Sequence, residues 1–138
     1  MRVLTGGRFP LLRFDRGDAF PAGLEDWCAE QKVEGAAIVC GVGMLDHVDL
    51  GVYHGAAYEH LLVEEACEVL SLQGNVSMRD GKPFAHVHAS LGRHDFSACG
   101  GHLFSGTVSV TLELVLCMLD SGLVRPPAEG AFRPLDRA

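Results

Sequence analysis

The sequence predicts an α+β domain, a largely antiparallel sheet packed with one main helix. Three observations carry this reading. Several segments alternate apolar and polar residues or are rich in β-branched residues, one stretch carries helical spacing, and only one connection is long. At 138 residues the chain matches the usual size of one domain with one core. We read residues 1–122 as that domain and 123–138, with Pro126, Pro127 and Pro134, as an irregular C-terminal tail.

Taken in order, RFPLLRF (8–14) reads as a strand whose Pro10 must sit at an edge or bulge, because proline cannot donate to a ladder. From Asp18 to about Val33, the residues Phe20, Leu24, Trp27 and Cys28 recur at i, i+4, i+7 and i+8. That spacing lays one apolar stripe on a helix, with Asp18 as its N-cap and Gly23 a mild weakness. GAAIVCGVG (35–43) reads as a strand buried on both faces. DHVDLGVYH (46–54) alternates as a half-buried strand with Val48, Leu50 and Val52 on one side, and the two are expected to pair. AAYEHLLVEEA (56–66) has helix-forming composition but is short, so its state is left open, and CEVLSLQGNVSM (67–78) alternates like a strand. GKPFAHVHASL (81–91) opens on turn residues and continues as a strand, and TVSVTLELVLCML (107–119) suits a long strand.

Composition excludes several functions. Eleven basic against 18 acidic residues give a net charge of −7, and the arginines are scattered. Duplex binding rewards clustered Lys and Arg through counterion release, so a nucleic-acid surface is disfavoured. The five cysteines are widely spaced, with no CxxC pair, which points to neither a disulfide framework nor a thiolate zinc knuckle. No run approaches the ~18 apolar residues of a membrane span. The expectation is a soluble protein of a reducing cytoplasm.

The chemistry concentrates in KPFAHVHASLGRHDFSACGGHLFSG (82–106), which holds four of the seven histidines. In a strand, residues i and i+2 share a face, so His86 and His88 stand side by side with Val87 turned away. His102 follows fourteen residues later, just after Gly100 and Gly101, a pair that permits a sharp turn or a close backbone approach. If the chain folds back, three imidazoles converge. Three neutral imidazoles leave an open fourth position on a divalent ion, and zinc fits such ligands, although nickel, copper and iron also accept imidazole. The competing reading is an HxH of half-exposed histidines bonded to their neighbours. His94 lies in a polar loop, and His47, His54 and His60 lack ligand spacing and read as structural. Glu113, an acid in an apolar strand, either faces solvent or buttresses a histidine as a hydrogen-bond acceptor.

Other motifs are weaker. GVGMLD (41–46) begins like a dinucleotide fingerprint but lacks its third glycine and the helix that should follow. Cys99 near His102 is a packing residue before it is an activated thiol, since no orienting third group accompanies it.

EVLSLQGNVS (68–77), GKPFAHVHASLG (81–92) and CGGHLFSGTVSVTLELVL (99–116), supported by AAIVCGVGMLDHVDLGVY (36–53), together resemble the plants-and-prokaryotes-conserved (PPC) domain in its stand-alone prokaryotic form. The likeness spans about residues 6–120. It implies an α+β fold, a homotrimer, and a metal, best assigned as zinc, on His86, His88 and His102, with the glycines shaping the turn that delivers His102. Plant members add an AT-hook that enters the minor groove, and this chain has no such arm. Three functional readings follow: a trimeric metal-binding protein with a small-molecule ligand at the metal, a DNA-binding or transcription-regulatory interaction module, and a metal-dependent enzyme. For the enzyme the sequence offers only Glu113, His94 and Asp95 as distant acid–base groups.

Overall fold

Two long strands organise the molecule in its computed structural model, which describes residues 1–130 and 132–138. They are β4 (Ala36–Tyr53) and β8 (Ala98–Met118), and they run antiparallel against one another for most of their length. Around them stand β1 (Arg2–Thr5), β2 (Leu11–Asp15), β3 (Ala19–Phe20), β5 (Tyr58–Val63), β6 (Cys67–Arg79) and β7 (Lys82–Gly92). One short helix, α1 (Ala22–Glu30), and two-residue strands β9 (Leu123–Val124) and β10 (Asp136–Arg137) complete the described elements. The molecule is mostly sheet with one short helix.

The pairing closes on itself. β4 pairs with β6, β6 with β7, β7 with the start of β8, and β8 with β4, every pair antiparallel. A ring of strands has no free edge at its junction. Leu45, Leu50, Leu72, Val87, Leu91, Leu103, Leu112 and Leu114, all 0–1 % exposed, fill the interior. Phe14 and Phe20 meet edge-to-face at 5.5 Å, close enough to add to simple area burial.

The helix is shorter than its apolar spacing predicts. Leu24, Trp27 and Cys28 are buried as expected, but Ala19 and Phe20 form β3 against Thr107 and Gly106 of β8. Pro21 stands at the N-cap. Asp18 caps no helix, its carboxylate accepting from the Asp15 N–H at 2.9 Å. β8 therefore takes the backbone groups that the sequence pattern assigned to a first helical turn. The predicted 8–14 strand likewise begins only at Leu11, after Pro10.

The largest difference concerns 35–54. The two expected strands are one continuous element, and only one of its faces is buried, because Val39 and Val42 are 49 % and 59 % exposed. No reversal occurs between the halves. Gly43 at φ 149° and His47 at φ 48° instead absorb register shifts against β8, and at Gly43 any Cβ would collide with the backbone of Thr111 and Leu112. The open segment 56–66 resolves as strand over Tyr58–Val63, paired to the outer half of β4. The described residues of 123–138 are irregular for most of their length, yet Leu123–Val124 pair with Asp136–Arg137 and the Arg125 N–H donates to the Met78 carbonyl at 2.8 Å.

Candidate functional site

The ring of strands meets in a corner where one row of residues crosses four strands. Gln73 of β6 lies opposite His88 of β7, His88 opposite His102 of β8, and His102 opposite Gly51 of β4. His86 sits one pleat away on the His88 face, opposite Asn75. Ring centroids are 5.1 Å apart for His86–His88, 5.0 Å for His86–His102 and 5.6 Å for His88–His102. One nitrogen from each of the three lies within 4.8 Å of the others. The structure thus brings together the three histidines singled out from the sequence.

Of the two roles open to the glycines, a sharp turn and a close backbone approach, the structure shows the second, and the turn implied by the resemblance is not formed. Gly100 and Gly101 are inside β8, not at a turn. A Cβ at Gly101 would lie 2.6 Å from the Gly51 carbonyl oxygen, and one at Gly100 2.7 Å from that of Ala89. Their lack of a side chain lets β8 wedge between β4 and β7 and carry His102 to the pair. Gly74 makes the same allowance on the other side, where a Cβ would overlap the His86 carbonyl.

His102 is 8 % exposed and its Nδ1, buried, has no hydrogen-bond partner among the described residues. An orphaned buried nitrogen is costly in a native protein and calls for a missing partner. Burial first, then the charges of His88, Arg125 and Arg79, push the His102 pKa down to about 4. Burial also leads for His86, followed by Arg125, His102 and His88, and brings it down to about 4. Both rings are therefore neutral at pH 7, the form that ligates metal. Three converging imidazoles, one with a buried unpaired nitrogen, fit a divalent cation.

Arg125 competes for this site. It is 5 % exposed, and its guanidinium donates to the Arg133 carbonyl at 2.8 Å, to Asn75 Oδ1 at 3.0 Å and to His86 Nδ1 at 3.1 Å. A guanidinium only donates, so His86 Nδ1 accepts and the ring proton sits on Nε2. A metal needs the single lone pair of this neutral ring, so ligation by His86 requires Nη2 to release it.

Outside the corner, His86 and His102 form one wall of an open cleft of about 860 Å³, with Glu25 of α1, Arg79, Phe84, Phe104 and Arg125 around it. Glu25 accepts from the Ala85 N–H at 2.9 Å, and burial, the leading influence, raises its pKa. His102 packs on Phe104 at 4.4 Å and on Tyr58 at 5.4 Å.

The remaining sequence candidates do not join the site. Glu113 is exposed on β8, opposite Arg13 and Val42 and eleven residues beyond His102, roughly 35 Å of extended strand, so it buttresses no histidine. His94 and Asp95 are exposed in the β7–β8 loop, where Asp95 accepts from the Ser97 N–H. Cys99 is half-buried and packs against the core. His47, His54 and His60 pair with Asp46, Glu59 and Asp49 at 2.8, 3.0 and 2.7 Å. Sequence reasoning missed Arg125, Arg79 and Glu25. Arg125 lies in a proline-rich stretch with no periodic signal, and nothing local marks it as buried.

Fold and site together define a small, closed β-rich domain with a three-imidazole corner. The chain belongs to the family described as the Plants and Prokaryotes Conserved (PCC) domain, whose model matches residues 1–120. It is similar to the PPC protein of Pyrococcus horikoshii at 30 % identity, covering 93 % of this chain and 92 % of that one, with a TM-score of 0.82. It is also similar to the metal-containing protein of Archaeoglobus fulgidus at 35 % identity, covering 93 % and 89 %, with a TM-score of 0.80. A candidate DNA-binding protein of Bacteroides thetaiotaomicron shares the fold at 22 % identity, covering 98 % and 96 %, with a TM-score of 0.90. No curated protein matches. The one helix is not long and apolar enough to cross a membrane.

Proposed function

We propose that this protein is a homotrimeric metal-binding module that holds one divalent ion, zinc by preference, on His86, His88 and His102. The observation that carries this reading is the convergence of one nitrogen from each of three histidines within 4.8 Å, one of them His102, whose buried Nδ1 has no partner among the described residues. A relative at 35 % identity described as metal-containing supports it. When bound, such an ion supplies a Lewis-acid centre with a position open to a small ligand. The histidines bind and orient it, and Phe104 and Tyr58 exclude water from the His102 side. Binding is favoured over catalysis, because the two carboxylates lining the cleft, Glu25 and Asp80, are engaged by the Ala85 N–H and by Arg133, and no base–orienter pair is found among the described residues. Trimer assembly is supported by apolar residues left exposed on long strands, Val39 and Val42 of β4, Leu70 of β6 and Val110 of β8, surface that association between copies removes from water. Light scattering across a concentration series checks the trimer.

Elemental analysis of protein purified without a histidine tag tests the metal. Wild type should carry close to one equivalent per chain and His88→Ala almost none. Wild type without metal, or His88→Ala with an unchanged content, overturns the reading. A DNA-interaction module, the alternative, predicts salt-dependent duplex binding, and a flat anisotropy titration at low salt removes it.

A further inference from the structure

The protein carries a net charge of −7, yet the cleft beside the histidine corner is locally basic. Arg79, Lys82, Arg125 and Arg133 line it, against Glu25 and Asp80. Arg133 and Asp80 pair with each other at 2.8 Å. Among the described residues, Arg79, Lys82 and Arg125 have no carboxylate within salt-bridge distance, and Glu25 is held by the Ala85 N–H. The two arginines share one aromatic ring, with the Arg79 guanidinium 3.6 Å and the Arg125 guanidinium 5.7 Å from the Phe84 centroid. Two guanidinium groups converge on one ring, with the Glu25 carboxylate near enough to Arg79 to feel its charge but outside salt-bridge contact. Arg125 is nine-tenths buried and its Nε has no partner among the described residues. A buried, unpaired cation is expensive to keep, and a guanidinium presents the fork that matches an oxyanion.

The geometry points to a binding site for a small organic anion, a phosphate or carboxylate attached to a flat apolar group. Its oxyanion pairs with Arg79 and Arg125, and its apolar part lies among the aromatic residues Phe84, Phe104 and Phe132 of the cleft wall. The cleft's size lies within the range typical of small-molecule sites, about 300–1,000 Å³. This inference names the ligand class of the metal reading and rests on that reading for the ligand's orientation toward His86 and His102. It also couples the two. An ion that takes the His86 lone pair frees one N–H of Arg125, and that donor then turns to the anion.

Titration of the full chain by calorimetry, zinc-loaded and chelator-stripped, tests this with phenyl phosphate, inorganic phosphate and neutral phenol. Phenyl phosphate should bind one saturable site, more tightly than inorganic phosphate or phenol and more tightly in the zinc-loaded protein. Arg79→Gln, at an exposed position, should weaken it roughly ten- to a hundredfold, as loss of one charge-assisted hydrogen bond does. Arg125→Gln should weaken it at least as much and remove the advantage conferred by zinc. No saturable binding at millimolar phenyl phosphate, or equal binding by wild type and Arg79→Gln, overturns the site. Equal affinity with and without zinc overturns the coupling through Arg125. Zinc uptake without phenyl phosphate binding defeats this inference alone. Phenyl phosphate binding without zinc uptake upholds the anion site and defeats the metal reading alone.

Discussion

His88 and His102 stand directly opposite one another across the β7–β8 ladder, their rings 5.6 Å apart and nearly perpendicular. They differ in burial, His88 being exposed and His102 buried. The exposed partner is the clean probe. His88→Ala should lower zinc affinity at least tenfold while leaving the metal-free unfolding midpoint within about 0.5 kcal/mol of wild type, as surface substitutions do. Competition with a chromogenic chelator and urea titration measure the two quantities.

Proton uptake gives a second prediction. His86 and His102 have pKa values near 4 when folded against an ordinary 6.5. Below pH 6.5 the unfolded chain binds protons that the folded chain refuses, so metal-free stability must fall as pH drops from 6.5 toward 4 and level off below that. Urea midpoints at pH 7, 5.5 and 4.5 should show this decline. The His86→Gln/His102→Gln double variant should flatten it, leaving the carboxylates and His47, whose pKa is raised by its hydrogen bond to Asp46 and which acts in the opposite sense.

Gly101 is the third test. Its Cβ, if present, would press on the Gly51 carbonyl from 2.6 Å, so Gly101→Ala must push β8 away from β4. A cost of about 1–3 kcal/mol is the ordinary price of overpacking. Because His102 is the next residue, zinc affinity should fall by more than the stability loss explains. The same substitution at Gly81, whose Cβ would meet nothing within 4 Å but whose φ is 77°, should destabilise through backbone strain while sparing zinc binding.

Arg125 opposes the metal in two ways, through its charge and through its bond to His86 Nδ1 at 3.1 Å. Arg125→Gln should therefore bind zinc severalfold more tightly than wild type, as read by chelator competition on protein whose fold is confirmed by circular dichroism. Weaker zinc binding would mean that the arginine positions His86 rather than competing for it.

The sequence by itself determined the strands within 67–78, 81–91 and 107–118, the apolar stripe of Leu24, Trp27 and Cys28, and the HxH pair, because these follow from periods of 3.6 and 2 that operate within a few residues. It also singled out His102, through the glycines before it, but left open whether they make a turn or a close backbone approach. Only the tertiary structure decided that 36–53 is one strand, that Phe20 leaves the helix for β8, and that Gly100 and Gly101 admit a neighbouring strand rather than a turn. It alone set Glu113 roughly 35 Å of strand from the histidines and brought Arg125 into the cleft from the far end of the chain. Those outcomes depend on which backbones meet across the ring, and pairing between residues distant in sequence leaves no local periodic trace.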